Sequence, residues 1–135
     1  GADLIALCST WSCLEESLLT NIPLASDWVV QSPTDKAQQN RLVRKYKLQA
    51  HFLFHDCFID PNQWQTDISS LAKHRTPIHL VQGEKDKVCP PAGAMLINEL
   101  LPHSFLTLLP HTGHLSSQKS MIDGLNQAVA QMRWR

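Results

Sequence analysis

The stretch that most constrains the fold runs from Thr76 to Leu115, because it repeats one pattern: a short apolar, β-branched run ended by turn residues. Ile78 to Gln82 is the first run, closed by Gly83, and Phe105 to Leu109 is the second, closed by Pro110 and Gly113. Between them, Pro90 and Pro91 open a helix-period segment through Leu101, with Ala94, Met95, Leu96 and Leu100 spaced to pack on a sheet. Two strands joined by a crossover helix predict a βαβ unit with parallel strands. Such strands have their carboxyl ends on one edge, ~4.8 Å apart when they are neighbours, so the loops leaving that edge can touch. Asp86 lies just past the first run and His114 just past the second. A carboxylate bonded to an imidazole fixes its tautomer and orients it as a general base. Each residue alone has a plainer reading, the Asp as a turn or cap residue and the His as a solvated loop residue. Their order on consecutive strand ends is what makes them a candidate catalytic pair.

Composition narrows the class. The chain has 135 residues, zero formal net charge, 43% hydrophobic and 18% charged residues, a balance that fits a soluble globular chain with one core. No basic-aromatic stripe calls for nucleic acid, and no apolar run approaches the ~18 residues of a membrane span. Gly1 to Cys8 begins with an acid at Asp3 and runs into a helical pattern, unlike an export signal. Cys8, Cys13, Cys57 and Cys89 lack Cys-x-x-Cys spacing and are too few for a disulfide scaffold, so free thiols in a reducing cytoplasm are expected. Cys89, three residues after Asp86, should lie near the candidate pair, with a small buried hydrophobe as its plainer reading. His51, His55, His74, His79, His103 and His111 show no metal-ligand spacing, and neither a metal nor a cofactor is expected. His51 reads as a satisfied helix histidine.

Before the βαβ unit the chain reads as helical. Leu4, Leu7, Cys8, Trp11, Leu14, Leu18 and Leu19 predict an amphipathic helix over Asp3 to Thr20, with Glu15 and Glu16 on its polar face. A turn-rich segment with Pro23, Ser26, Asp27, Ser32 and Pro33 follows. A second helix starts near Asp35, with Ala37, Leu42, Val43, Tyr46, Ala50 and Leu53 or Phe54 on one face. Lys36, Arg41, Arg44, Lys45 and Lys47 form a solvated face opposite. Asp60-Pro61 predicts the start of a third helix through Trp64, Ile68, Leu71 and Ala72. After the second strand, Ser116 or Ser117 should cap a last helix with Met121, Ile122, Leu125, Ala128, Val129 and Met132 inward. The class is therefore α/β, with one boundary near residue 75: a helical segment 1–75, then a βαβα segment 76–135.

These residues resemble the carboxyl-terminal part of the prolyl aminopeptidases (proline iminopeptidases), serine peptidases of the α/β-hydrolase fold. The resemblance covers most of the chain and is densest from Leu48 to His114. Trp11-Ser12-Cys13-Leu14-Glu15 is similar to the family's W-x-x-W-E, and Gln49-Ala50-His51-Phe52 to its E-x-H-Y-F. Val81-Gln82-Gly83-Glu84-Lys85-Asp86-Lys87-Val88-Cys89-Pro90 is similar to V-Q-G-R-Y-D-x-x-x-P, the most specific of the matches, and Gly113-His114 completes the set. The resemblance implies that Asp86 and His114 are the acid and base of a triad. It also implies that 1–75 is part of a cap in which acidic side chains bind the protonated amine of a peptide with a free amino terminus. Glu15 falls on one acidic position. Gln49 falls on the other, where an amide accepts a hydrogen bond but brings no charge, which weakens the demand for a free amino-terminal proline. Glu84-Lys85 in place of Arg-Tyr, Leu14 for the second Trp and Leu115 after the His are further departures.

The order in this fold is nucleophile, acid, histidine, with the nucleophile in a Gly-x-Ser-x-Gly elbow upstream. None of the five glycines flanks a Ser in that pattern. The expectation is that the chain supplies acid, base and part of a cap, while a missing amino-terminal half supplies the serine, and that the chain alone does not turn over substrate. Two strands among helices leave open edges, so pairing with that missing half or with a second copy is expected. The alternatives are a cap-bearing esterase or amidase of the same fold, and a non-catalytic hydrolase-like module that binds peptides.

Overall fold

The computed structural model describes residues 2–25, 28–74 and 76–132. Ser26 and Asp27, part of the expected turn-rich segment, lie outside the described residues. Helices α1 (Ala2–Thr20), α2 (Lys36–Phe54) and α3 (Trp64–Leu71) precede strand β1 (Ile78–Gly83), helix α4 (Pro91–Leu100), strand β2 (Ser104–Leu109) and helix α5 (Lys119–Gln131). This is a mixed helix and strand chain with a small parallel sheet. No helix among the described residues is long and apolar enough to cross a membrane.

Contacts divide the chain into two compact units, 1–60 and 61–135. The change of residue pattern near position 75 is a different division, because α3 packs against α4 and so belongs with the strands.

In the first unit α1 packs on α2. Asp35 caps α2, its side chain accepting the amide of Gln38 at 2.8 Å. Cys8 and Tyr46 are buried, and Trp11 stacks on Tyr46 with ring centroids 5.7 Å apart. Much of the apolar stripe read from sequence is nevertheless exposed: Leu7 and Leu14 on α1, Leu53 and Phe54 on α2. The chain leaves α2 through a short 3-10 turn, Asp56–Phe58, in which three successive non-glycine residues have positive φ.

In the second unit β1 and β2 pair in parallel, from Ile78 opposite Ser104 to Gly83 opposite Leu109. The two strands, left as possible neighbours by the sequence, are therefore adjacent. α5 packs against both strands, and at Gly124 it approaches them closely enough that a Cβ would lie 2.9 Å from Leu109 Cδ1 and 3.2 Å from Val81 Cγ1. Met121, Gly124 and Ala128 are the buried face of α5. Ile122, Leu125 and Val129, expected inward, are 45%, 43% and 58% exposed, because the 3.6-residue repeat lets a single stripe meet a two-stranded sheet. α5 starts at Lys119 with Gln118 as N-cap residue, later than the serine cap expected from sequence, and α3 starts three residues beyond Pro61. Among the described residues the sheet has only these two strands, so each has one unpaired edge.

Candidate active site

The acid loop begins where β1 ends. Gly83 closes the strand, Glu84 and Lys85 make a turn, and Asp86 follows as a buried residue, 8% exposed. One carboxylate oxygen, Oδ1, accepts two backbone amides, from Val88 at 2.9 Å and Cys89 at 2.8 Å. The chain that runs on toward α4 thus folds back over its own carboxylate, a local arrangement typical of Asp in turns. The other oxygen, Oδ2, lies 3.0 Å from His114 Nδ1 and 3.4 Å from Gln82 Nε2. Gln82 also donates to the carbonyls of Gly83 and Cys89, both at 3.1 Å, tying the strand end to the loop. Burial alone pushes the Asp86 carboxyl up. The Cys89 amide, His114 and the Val88 amide outweigh it and hold the group below its ordinary value, so it is ionised at neutral pH.

The histidine loop leaves β2 through Pro110 and His111, the latter with φ of 57°, in the left-handed region that non-glycine residues seldom occupy. Thr112 is 1% exposed, and its hydroxyl lies 2.8 Å from that of Ser120 on α5 and 3.2 Å from the Pro110 carbonyl. The Gly113 amide donates to Gln118 Oε1 at 2.8 Å, immediately before His114. Acid loop and histidine loop are stitched by backbone: Glu84 N–H donates to Leu109 O at 3.1 Å and Lys85 N–H to Thr112 O at 2.8 Å. That approach leaves no room at Gly83, where a Cβ would lie 2.4 Å from Thr112 O and 2.5 Å from Gly113 O. A glycine is required there by backbone, which cannot move aside as a side chain could.

His114 is itself 35% exposed at its side chain, against 7% for Asp86. With Asp86 as an ionised acceptor, Nδ1 carries the hydrogen and Nε2 is left as a lone-pair acceptor. The arrangement can orient an imidazole. Cys89 is exposed, which corrects the expectation of a buried thiol; its amide, not its sulfur, serves Asp86. All four cysteines are free.

Glu15 and Gln49 also meet, within the first unit. Gln49 Nε2 donates to Glu15 Oε1 at 3.3 Å, while Tyr46 Oη donates to Oε2 at 2.9 Å and Lys45 Nζ forms a short ion pair with the same oxygen. Lys45 also reaches Tyr46 Oη at 3.1 Å and sits 4.7 Å from the centre of its ring. Burial pushes the Glu15 carboxyl up, but Lys45, Tyr46 and Gln49 together hold it below its ordinary value. The Lys45 ammonium is held above its own, chiefly by Glu15. The sequence reading placed Glu15 on a polar outer face and Lys45 on a solvated one. In the structure Glu15 turns to α2 and is 23% exposed at its side chain, whereas Lys45 remains 56% exposed. His51, read as a satisfied histidine, is exposed, with its ring 4.7 Å from that of His55 and 5.7 Å from Phe58. Among the described residues no group of three or more His, Cys, Asp or Glu side chains is placed to hold a metal ion.

Sequence reasoning missed the supporting residues Gln82, Thr112, Gln118 and Lys45. Gly83 directly after a strand was a usable signal for close backbone approach. Nothing in the sequence links Lys45 to a glutamate on another helix.

Neither a family model nor a solved structure matches the chain. A protein of Mycoplasma pneumoniae named "Putative proline iminopeptidase" is 29% identical over 112 residues. The aligned segment is 82% of this chain and 33% of that protein, so the chain spans about a third of the relative's length.

Proposed function

We propose that the chain is the acid-and-histidine part of a serine hydrolase, with Asp86 orienting His114 as the general base of a triad. The observation that carries the reading is the Asp86–His114 contact of 3.0 Å at the ends of neighbouring parallel strands, with the second carboxylate oxygen saturated by two backbone amides. Nε2 of His114 takes a proton from a serine hydroxyl, and the fixed Asp86 charge stabilises the imidazolium that results. The proton then passes to the leaving group. The serine and the oxyanion donors belong to a preceding part of the same protein, and the architecture is the carboxyl-terminal portion of an α/β-hydrolase. The unpaired edges of the two-stranded sheet and the outward Ile122, Leu125 and Val129 support a partner of that kind, the preceding part or a second copy. Residues 1–75 contribute to a cap, and the protein works in the cytoplasm.

The substrate is a peptide with a free amino terminus, whose first residue is released. The name of the Mycoplasma pneumoniae relative and the Glu15–Gln49 contact support this. Glu15 provides the ionised acceptor for the amine. One observation favours a second reading, an esterase or amidase: Glu15 is already paired with Lys45. In the intact protein, hydrolysis of a proline arylamide compared with a short acyl ester separates the two. His114→Ala should lower whichever activity is present by about four orders of magnitude. Activity retained within tenfold would remove His114 from the chemistry.

A further inference from the structure

The cluster that holds Glu15 contains its own ammonium, and that has consequences for any amine arriving from outside. Oε2 is shared by Lys45 Nζ and the Tyr46 hydroxyl, and Oε1 takes the Gln49 amide. Three of about four lone-pair directions of a carboxylate are thereby used, and the donors all come from one face of α2. The one cation among them cancels the carboxylate's charge. A second ammonium would meet a neutral pair, and it would stand close to the positive Lys45.

We propose that Lys45 is a specificity-determining residue: a resident substitute for a substrate ammonium, which lowers the preference of the Glu15 site for a charged amino terminus over a neutral, acylated one. The inference rests on the reading of Glu15 as an amine acceptor. Position supports it beyond the contact itself. The Lys45 side chain is more than half exposed, so it is held by the pair and by the Tyr46 ring, not by burial. It can swing into water when a stronger competitor arrives. Tyr46, in contrast, is 2% exposed and stacked on Trp11, so its hydroxyl is a fixed donor to Glu15 whichever cation is present. The site is thus one fixed neutral donor, Tyr46, and a second neutral donor, Gln49, beside one exchangeable cation. Its substrates are those in which the amine contributes little: amino-terminal residues bound mainly through their apolar part, and acylated or amine-free counterparts taken nearly as well.

The test is direct binding of two probes, alaninamide as its cation and N-acetylalaninamide as its neutral counterpart, followed by NMR titration of the chain and of Lys45→Met and Lys45→Gln. Removing an exposed ion-pair partner should raise the ratio of cation to neutral affinity by about two- to fivefold. The gain should shrink at high salt, which a change confined to packing would not do. Glu15→Gln should abolish cation preference in every background. If Glu15→Gln lowers cation preference and neither Lys45 variant raises it, the inference is overturned and the amine reading stands. If Glu15→Gln has no effect even beside Lys45→Met, the amine reading fails and the inference with it. Using both Met and Gln at position 45 guards against a fold defect in one of them.

Discussion

The Asp86 and Glu15 carboxylates are both held below their ordinary protonation range by hydrogen bonds that outweigh burial, yet they are built in opposite ways. Asp86 is fixed by backbone. Two amides of its own turn hold one oxygen, and the loop around it is bonded to the histidine loop by main-chain groups at Glu84 and Lys85. Glu15 is fixed by side chains alone, reaching from one helix to three residues of another. Backbone bonds hold a geometry through the fold as a whole, whereas long side chains lose rotamer freedom to make each contact and release it readily. The first arrangement suits a group whose position relative to an imidazole must be kept to within a fraction of an ångström. The second suits a site whose occupant can change.

That contrast is breakable, first and most severely at Gly83. Gly83→Val drives a branched side chain into the carbonyls of Thr112 and Gly113, and a loss of about 3 kcal/mol or more in urea unfolding is expected, with displacement of the His114 ring signals in NMR. A variant with native stability and unshifted His114 signals would show that the two loops are not in contact.

Next comes the pH dependence. The folded Asp86 carboxyl titrates below its unfolded value, so its contribution is complete above the ordinary carboxylate range near pH 4 and is lost as the pH falls through the lower, folded value. Asp86→Asn should cost about 1–3 kcal/mol at neutral pH and flatten the acid limb of the urea midpoint against pH. A variant whose acid limb superimposes on that of the parent would mean that Asp86 carries no stabilising charge.

The smallest effect belongs to the helix pair. Glu15 shifts in the same direction and contributes in the same window, but its partner is largely in water. Glu15→Gln should therefore change stability at neutral pH by no more than about 1 kcal/mol, and less at high salt. A loss matching that of Asp86→Asn would erase the distinction between backbone-held and side-chain-held carboxylates.

Much of the frame was legible from residue order. The two apolar runs gave the strands, Pro90-Pro91 gave the start of the crossover helix, and the positions of Asp86 and His114 past the two strand ends gave their meeting. These are local signals: strand periodicity, turn residues and a crossover rule that act over a few residues or one connection. The reading faltered where the partner surface mattered. Ile122, Leu125 and Val129 have the spacing of a buried stripe, yet a two-stranded sheet offers area for only Met121, Gly124 and Ala128. Cys89 has the composition of a core residue, yet its turn puts the sulfur outside while its amide turns inward.

The sequence by itself determined the parallel βαβ unit and put an acid and a histidine past the carboxyl ends of its two strands, because strand ends and turns are set by neighbouring residues. Only the tertiary structure decided that Gly83 must lack a side chain, that Thr112 and Gln118 brace the histidine loop, and that Lys45 neutralises Glu15. Those facts depend on which groups from distant parts of the chain come within about 3 Å of each other, a distance no local pattern encodes.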